Sequence, residues 1–114
     1  MNRILRSGLL AASISAAMIG AIGVVHADSP PTEQIIQLKA FAFTPASVTV
    51  RAGTTVTWKN LDEEPHTVVS NSGVFRSGAL DQNDSFSFKF DEPGEYRFIC
   101  SIHPHMQGTV TVTK

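Results

Sequence analysis

Cysteine is almost absent from this chain: Cys100 is the only one among 114 residues. No internal disulfide can therefore form. Histidine is nearly as scarce, with four copies, while tyrosine and tryptophan occur once each. Charge of one sign is lacking too, since nine basic and ten acidic residues leave a formal net charge of −1. Without a basic surplus, nucleic acid is a poor partner. Helical periodicity, internal repeats and low-complexity blocks are missing as well. The chain has no Ser-His-Asp set and no pair of carboxylates placed for acid–base work, and Glu63, Glu64, Asp91 and Glu92 read as turn and loop residues.

One long apolar run is present, and it lies at the start. Arg3 and Arg6 precede the Ala- and Ile-rich stretch Leu9 to Val25, and Val25-His26-Ala27 closes it with a small-x-small pattern. This is the layout of a signal peptide cleaved after Ala27, expected to span 1–27. The arginines are not adjacent, which favours a Sec-type leader over a twin-arginine one and a periplasmic destination. An uncleaved anchor is the alternative for a run of this length. The small residues and the following proline pair favour cleavage, with no stable membrane insertion afterwards. His26 leaves with the leader. So do both arginines, and seven basic against ten acidic residues give the mature part a charge of −3. A small exported domain commonly gains stability from disulfides or a metal, and a lone cysteine leaves only the metal.

After a flexible lead-in at 28–33, residues 34–114 read as one domain of short strands. Val56 and Trp58 share one face of Thr54 to Lys59, and Phe86, Phe88 and Phe90 share one face of Ser85 to Phe90. Glu95 to Cys100 and Gly108 to Thr113 alternate in the same way, as do Gln34 to Phe41, Ser47 to Val50 and His66 to Val69. Ala52-Gly53 and Asp91-Glu92-Pro93-Gly94 supply turns. The fold class is all-β: an antiparallel, Greek-key β-sandwich of about seven to eight strands.

Two of those strands bracket Cys100-Ser101-Ile102-His103-Pro104-His105-Met106. Taken singly, Cys100 and Met106 are ordinary core fillers. Taken together, a thiolate, an imidazole and a thioether share one short loop, and His66 beside Pro65 can supply a second imidazole. Two His, one Cys and a weak Met are the ligands of a blue-copper electron-transfer site. Zinc is the chemical rival, but structural zinc recruits four Cys or His ligands and methionine suits it badly. The metal-ligand candidates are therefore His66, Cys100, His103 and Met106, holding one type I copper ion.

The segments Glu95 to Gly108 and Pro65-His66-Thr67-Val68 resemble the cupredoxins, the type I blue-copper proteins, and within them the amicyanin group. Plastocyanin and pseudoazurin place methionine farther past the loop histidine, and azurin lengthens both gaps; those registers land here on Gly108 or Thr109. The chain departs from the pattern twice. Thr67 stands where asparagine often pins the two ligand loops, and its shorter hydroxyl is expected to serve similarly. His105 stands where amicyanin-like loops often carry phenylalanine; it reads as a solvated loop residue, with a proton-linked modulator as the alternative.

The resemblance implies a soluble, monomeric, exported carrier of single electrons with His103 as the port. Its redox donor and acceptor would be proteins such as a c-type cytochrome or a periplasmic dehydrogenase. Pro65, Pro104 and Phe75 are expected to form an apolar rim around that port. Asp62-Glu63-Glu64 is expected either to steer a basic partner or to be a solvated loop. A protein that buffers or delivers copper is the competing function. Enzymes of the nitrite reductase or multicopper oxidase kind need further copper sites, and His66, His103 and His105 are the only histidines of the mature part.

Overall fold

A computed structural model describes residues 33–114. The expected leader at 1–27 lies outside the described residues, as does the lead-in except Glu33, the first residue of the first strand. Eight strands follow in order: β1 (Glu33–Lys39), β2 (Ala42–Thr44), β3 (Ser47–Arg51), β4 (Thr54–Asn60), β5 (Val69–Ser70), β6 (Ser85–Phe90), β7 (Gly94–Ile99) and β8 (Gln107–Thr113). They form two four-stranded sheets, ordered β2-β1-β4-β6 and β3-β8-β7-β5. Among the described residues there is no helix. The molecule is an all-β sandwich whose non-sequential strand orders are those of a Greek key.

Side-chain alternation decides which face of each strand is buried. Ile36 and Leu38 of β1, Val48 and Val50 of β3, Val56 and Trp58 of β4, Phe98 of β7, and Val110 and Val112 of β8 all enter the core. Trp58 lies at its centre, with ring centroids 5.3 Å from Phe75, 5.4 Å from Phe98 and 5.8 Å from Phe86. Burying one such aromatic side chain contributes about 2–3 kcal/mol, so this cluster carries much of the stability of a small domain. Phe75 is 4% exposed within it. The expected rim position for Phe75 is therefore wrong; its neighbour Val74 is the exposed one.

The antiparallel expectation also needs correcting. Four of the pairings are antiparallel, but β1 pairs with β4 and β3 with β8 in parallel. The parallel register sets Ile36 against Trp58 and Leu38 against Asn60. Both strands thus run toward the same end of the sandwich and release their loops side by side there. The alternation also predicts a first strand that continues through Phe41. Instead the chain reverses at Ala40 and Phe41, with φ of 53° and 56°, and returns as β2. Left-handed backbone costs a non-glycine residue roughly 1–2 kcal/mol, so something must hold this turn.

The expected strand His66 to Val69 shrinks to β5. His66 forms only an isolated bridge with Leu80. The N–H of Val68 donates to Ser77 Oγ at 2.8 Å, and the N–H of Thr67 points at Cys100 Sγ at 3.3 Å. With those donors engaged by side chains, a continuous strand ladder cannot form.

Candidate metal centre

Strand registers assemble the centre. In the β5–β7 pair, Val69 faces Ile99. Continuing that register by two residues brings Thr67 opposite Ser101 and His66 close to Cys100. Thr67 Oγ1 accepts the N–H of Ser101 at 2.7 Å and lies 2.8 Å from Ser101 Oγ. The expected pinning of the two loops by this hydroxyl is present. In the β7–β8 pair, Ile99 faces Gln107, and the ladder runs one step further as Cys100 N–H donates to Met106 O at 3.1 Å. Met106 N–H donates to His103 O at 2.8 Å, closing the loop tightly.

Three of the expected residues meet directly. The Nδ1 atoms of His66 and His103 are 3.2 Å apart, and each lies 3.8 Å from Cys100 Sγ. The centre of this triangle is roughly 2.1 Å from each corner, the range of protein nitrogen and sulfur bonds to a small divalent metal ion. His66, Cys100 and His103 form a potential metal-holding group among the described residues. Met106 is buried, 2% exposed, at the foot of the same loop. His66 and Cys100 are wholly buried and His103 is half-buried. His105 is exposed, with its ring centroid 6.3 Å from that of His103.

The donor atoms are prepared chemically as well as placed. Burial pushes the Cys100 thiol up, but hydrogen bonds from Thr67 N–H, the His103 side chain and the N–H groups of Ile102 and His103 outweigh it. The net result is a fall from 9.0 to about 6, so the sulfur is a thiolate at neutral pH. His66 Nε2 lies 2.9 Å from Asp62 Oδ2, a hydrogen bond that in the neutral ring leaves Nδ1 without a proton and facing the other donors. This donor set fits a soft or borderline one-electron metal better than a hard cation.

Sequence reasoning missed two residues of this region. Asn60, buried on the inner face of β4, donates from Nδ2 to Glu64 O at 2.9 Å and Leu80 O at 2.8 Å. Its Oδ1 accepts Asp62 N–H at 2.9 Å. Asp62 belongs to an acidic run in the sequence, yet Ala40 N–H, Phe41 N–H and His66 all donate to its carboxylate. Burial raises that carboxyl, and hydrogen bonds from Phe41 N–H, the His66 ring and Ala40 N–H bring it below the usual value. A polar residue at an inward-facing strand position was the available signal for Asn60. For Asp62, its spacing of four before the candidate ligand was the only one.

A family model described as a cupredoxin-like domain matches residues 9–112. The chain belongs to the cupredoxin family. Amicyanin-alpha from Methylorubrum extorquens is 34% identical over 112 residues, covering 93% of each chain. A plastocyanin from Scenedesmus fuscus is 41% identical over 86 residues, covering 64% of this chain and 88% of its own. The solved structure of a novel purple cupredoxin from Nitrosopumilus maritimus superposes with a TM-score of 0.65 at 34% identity, covering 70% of this chain and 99% of that one. This cupredoxin binds one copper ion and is an electron carrier rather than an enzyme.

Proposed function

We propose that His66, Cys100, His103 and Met106 hold the copper, and that the protein works in the periplasm, passing single electrons between redox proteins. The observation that carries this reading is the inward-facing triangle of two imidazole nitrogens and one thiolate. Copper supplies the one-electron chemistry, alternating between Cu(I) and Cu(II).

The protein's own residues do the rest. Cys100 is ionised before the ion arrives, so binding at neutral pH releases little proton. The N–H groups of Thr67, Ile102 and His103 donate to its sulfur and limit its movement. Asp62 fixes the His66 ring from behind. Met106, from the foot of the loop, supplies the thioether that adjusts the potential. Donors held this firmly need little rearrangement when the charge changes, which favours fast exchange. His103 alone of the four reaches the surface and is the port for electrons. Ile102 and Pro104, which flank it in the chain, and Pro65, which precedes His66, are exposed and would give an apolar rim suited to brief docking. A c-type cytochrome or a periplasmic dehydrogenase fits such a rim.

Burial of His66, Cys100 and Met106 favours a retained ion over one that is handed on, and so favours electron transfer over copper delivery. Residues 1–27 act as a cleaved Sec-type leader in this reading, and the mass of exported protein should correspond to a chain beginning at Asp28.

The deciding measurement is the visible spectrum of the copper-loaded protein, together with its voltammetry. An intense thiolate-to-Cu(II) band and reversible one-electron cycling are expected, and Cys100→Ser should abolish the band. The similarity to a purple relative makes the band's position informative about how strongly the fourth ligand binds. A folded protein that stays colourless with Cu²⁺ under oxidising conditions would sink the proposal.

A further inference from the structure

Asp62 is not among the four proposed ligands, yet both of its carboxylate oxygens are committed. Oδ1 accepts Ala40 N–H at 2.8 Å, while Oδ2 accepts Phe41 N–H at 2.9 Å and His66 Nε2–H at 2.9 Å. The two backbone donors come from the successive left-handed residues that reverse the chain between β1 and β2. Neither is glycine, so this turn depends on an external anchor. The carboxylate is that anchor, with its side chain only 13% exposed.

The turn in question carries an aromatic ring onto the metal centre. Phe41 meets His66 edge-on at a centroid distance of 5.3 Å and 84°, and His103 at 5.1 Å and 86°. One ring therefore packs against both imidazoles, while Phe41 as a whole is 38% exposed. A single carboxylate thus holds one histidine from behind and holds the turn that covers both.

We propose that Asp62 and Phe41 act together as a clasp on the copper centre. Asp62 is the positioning residue, and Phe41 is a fixed aromatic cover that keeps water from the edges of His66 and His103. The effect on the copper rests on the ligand reading given above, whereas the clasp is a property of the protein and can be tested without metal.

Two consequences differ in sign. The Asp62 charge, hydrogen-bonded to a ligand ring, favours the more positive Cu(II) state and lowers the potential. Phe41 excludes water, which would itself favour the more positive state, so the cover raises the potential. Because Asp62 holds Phe41 in place, the two effects must also depend on each other.

The first arm of the experiment is amide hydrogen exchange followed by NMR on the metal-free, full-length protein. Asp62→Asn should speed exchange at Ala40 and Phe41 by about tenfold or more, as expected for losing a hydrogen bond to a charged acceptor. Glu63→Gln, which neutralises an exposed neighbouring charge, should leave both amides unchanged. The second arm is the reduction potential of the copper-loaded single and double variants. Phe41→Ala should lower the potential in the parent and do so markedly less in the Asp62→Asn background.

Unchanged exchange at both amides in Asp62→Asn would overturn the clasp, as would strictly additive shifts in potential. Should Asp62→Asn not fold, Phe41→Ala and Phe41→Leu decide the matter. An unchanged potential in both would reject the cover, and a drop in Phe41→Ala that Phe41→Leu partly restores would support it. A colourless parent with protected Ala40 and Phe41 amides would reject the copper reading and leave the clasp standing.

Discussion

The two loops that supply the proposed copper ligands hold their residues by different means. The upstream loop, between β4 and β5, uses side chains: Asn60 and Asp62 bond to its backbone and to the turn beside it, and His66 ends wholly buried. The downstream loop, between β7 and β8, uses brevity and its own backbone. Cys100 pairs with Met106 across it, and Ser101, Ile102, Pro104 and His105 remain exposed. One loop supplies rigidity and the other supplies access. An electron carrier needs both at one ion, and dividing them lets the surface near His103 vary without loosening His66.

The thiol is where the two loops meet chemically, and it gives the largest expected effect. Its fall from 9.0 to about 6 corresponds to a roughly thousandfold lower proton affinity in the folded, metal-free protein. Ultraviolet thiolate absorbance should titrate with a midpoint near 6 when folded and near 9 when unfolded. Because the folded value is the lower one, the thiolate stabilises the fold fully above pH 9. That contribution is lost as pH falls through about 6. A midpoint near 9 in the folded protein would mean that the hydrogen bonds from Thr67, Ile102 and His103 do not outweigh burial at the sulfur.

Asn60→Ala attacks the upstream loop alone. It removes two donated bonds and strands the Asp62 N–H, which should cost about 3 kcal/mol in urea unfolding. A loss below about 1 kcal/mol would show that side chains do not organise this loop. Gly108→Ala attacks the downstream side. A Cβ there would strike the Phe98 ring and sit 2.7 Å from Ala46 O, so overpacking of about 2 kcal/mol is expected. Copper-site colour should survive that change, since the backbone bonds across the loop begin one strand end away. Thr67→Val removes the hydroxyl that joins the loops. About 1 kcal/mol should be lost, with Ser101 N–H exchanging faster. A fully protected Ser101 amide in that variant would show that the hydroxyl does not hold the loops together.

The alternating strands and the Cys-x-x-His-x-x-Met loop were legible because each is a local pattern: a period of two, or ligands three residues apart. The parallel pairing of β1 with β4 was not, since parallel register leaves no turn signature between the paired residues. The reversal at Ala40 and Phe41 was hidden for a related reason. Neither residue prefers left-handed backbone, and the carboxylate that imposes it lies more than twenty positions away. Phe75 was misplaced because its loop has no strand period to say which of Val74 and Phe75 points inward. Asp62 resembled its neighbours Glu63 and Glu64 in charge, and only tertiary contacts set it apart.

The shared position of Ile99, paired with Val69 on one side and Gln107 on the other, has a practical result. A slip of one residue in either ladder would turn the sulfur or its neighbours to the opposite face and scatter the donors. If these donors hold the copper as proposed, misaligned chains would show no thiolate-to-copper colour. Absorbance per mole of chain therefore counts the correctly threaded molecules, making the pigment a built-in gauge of folding yield.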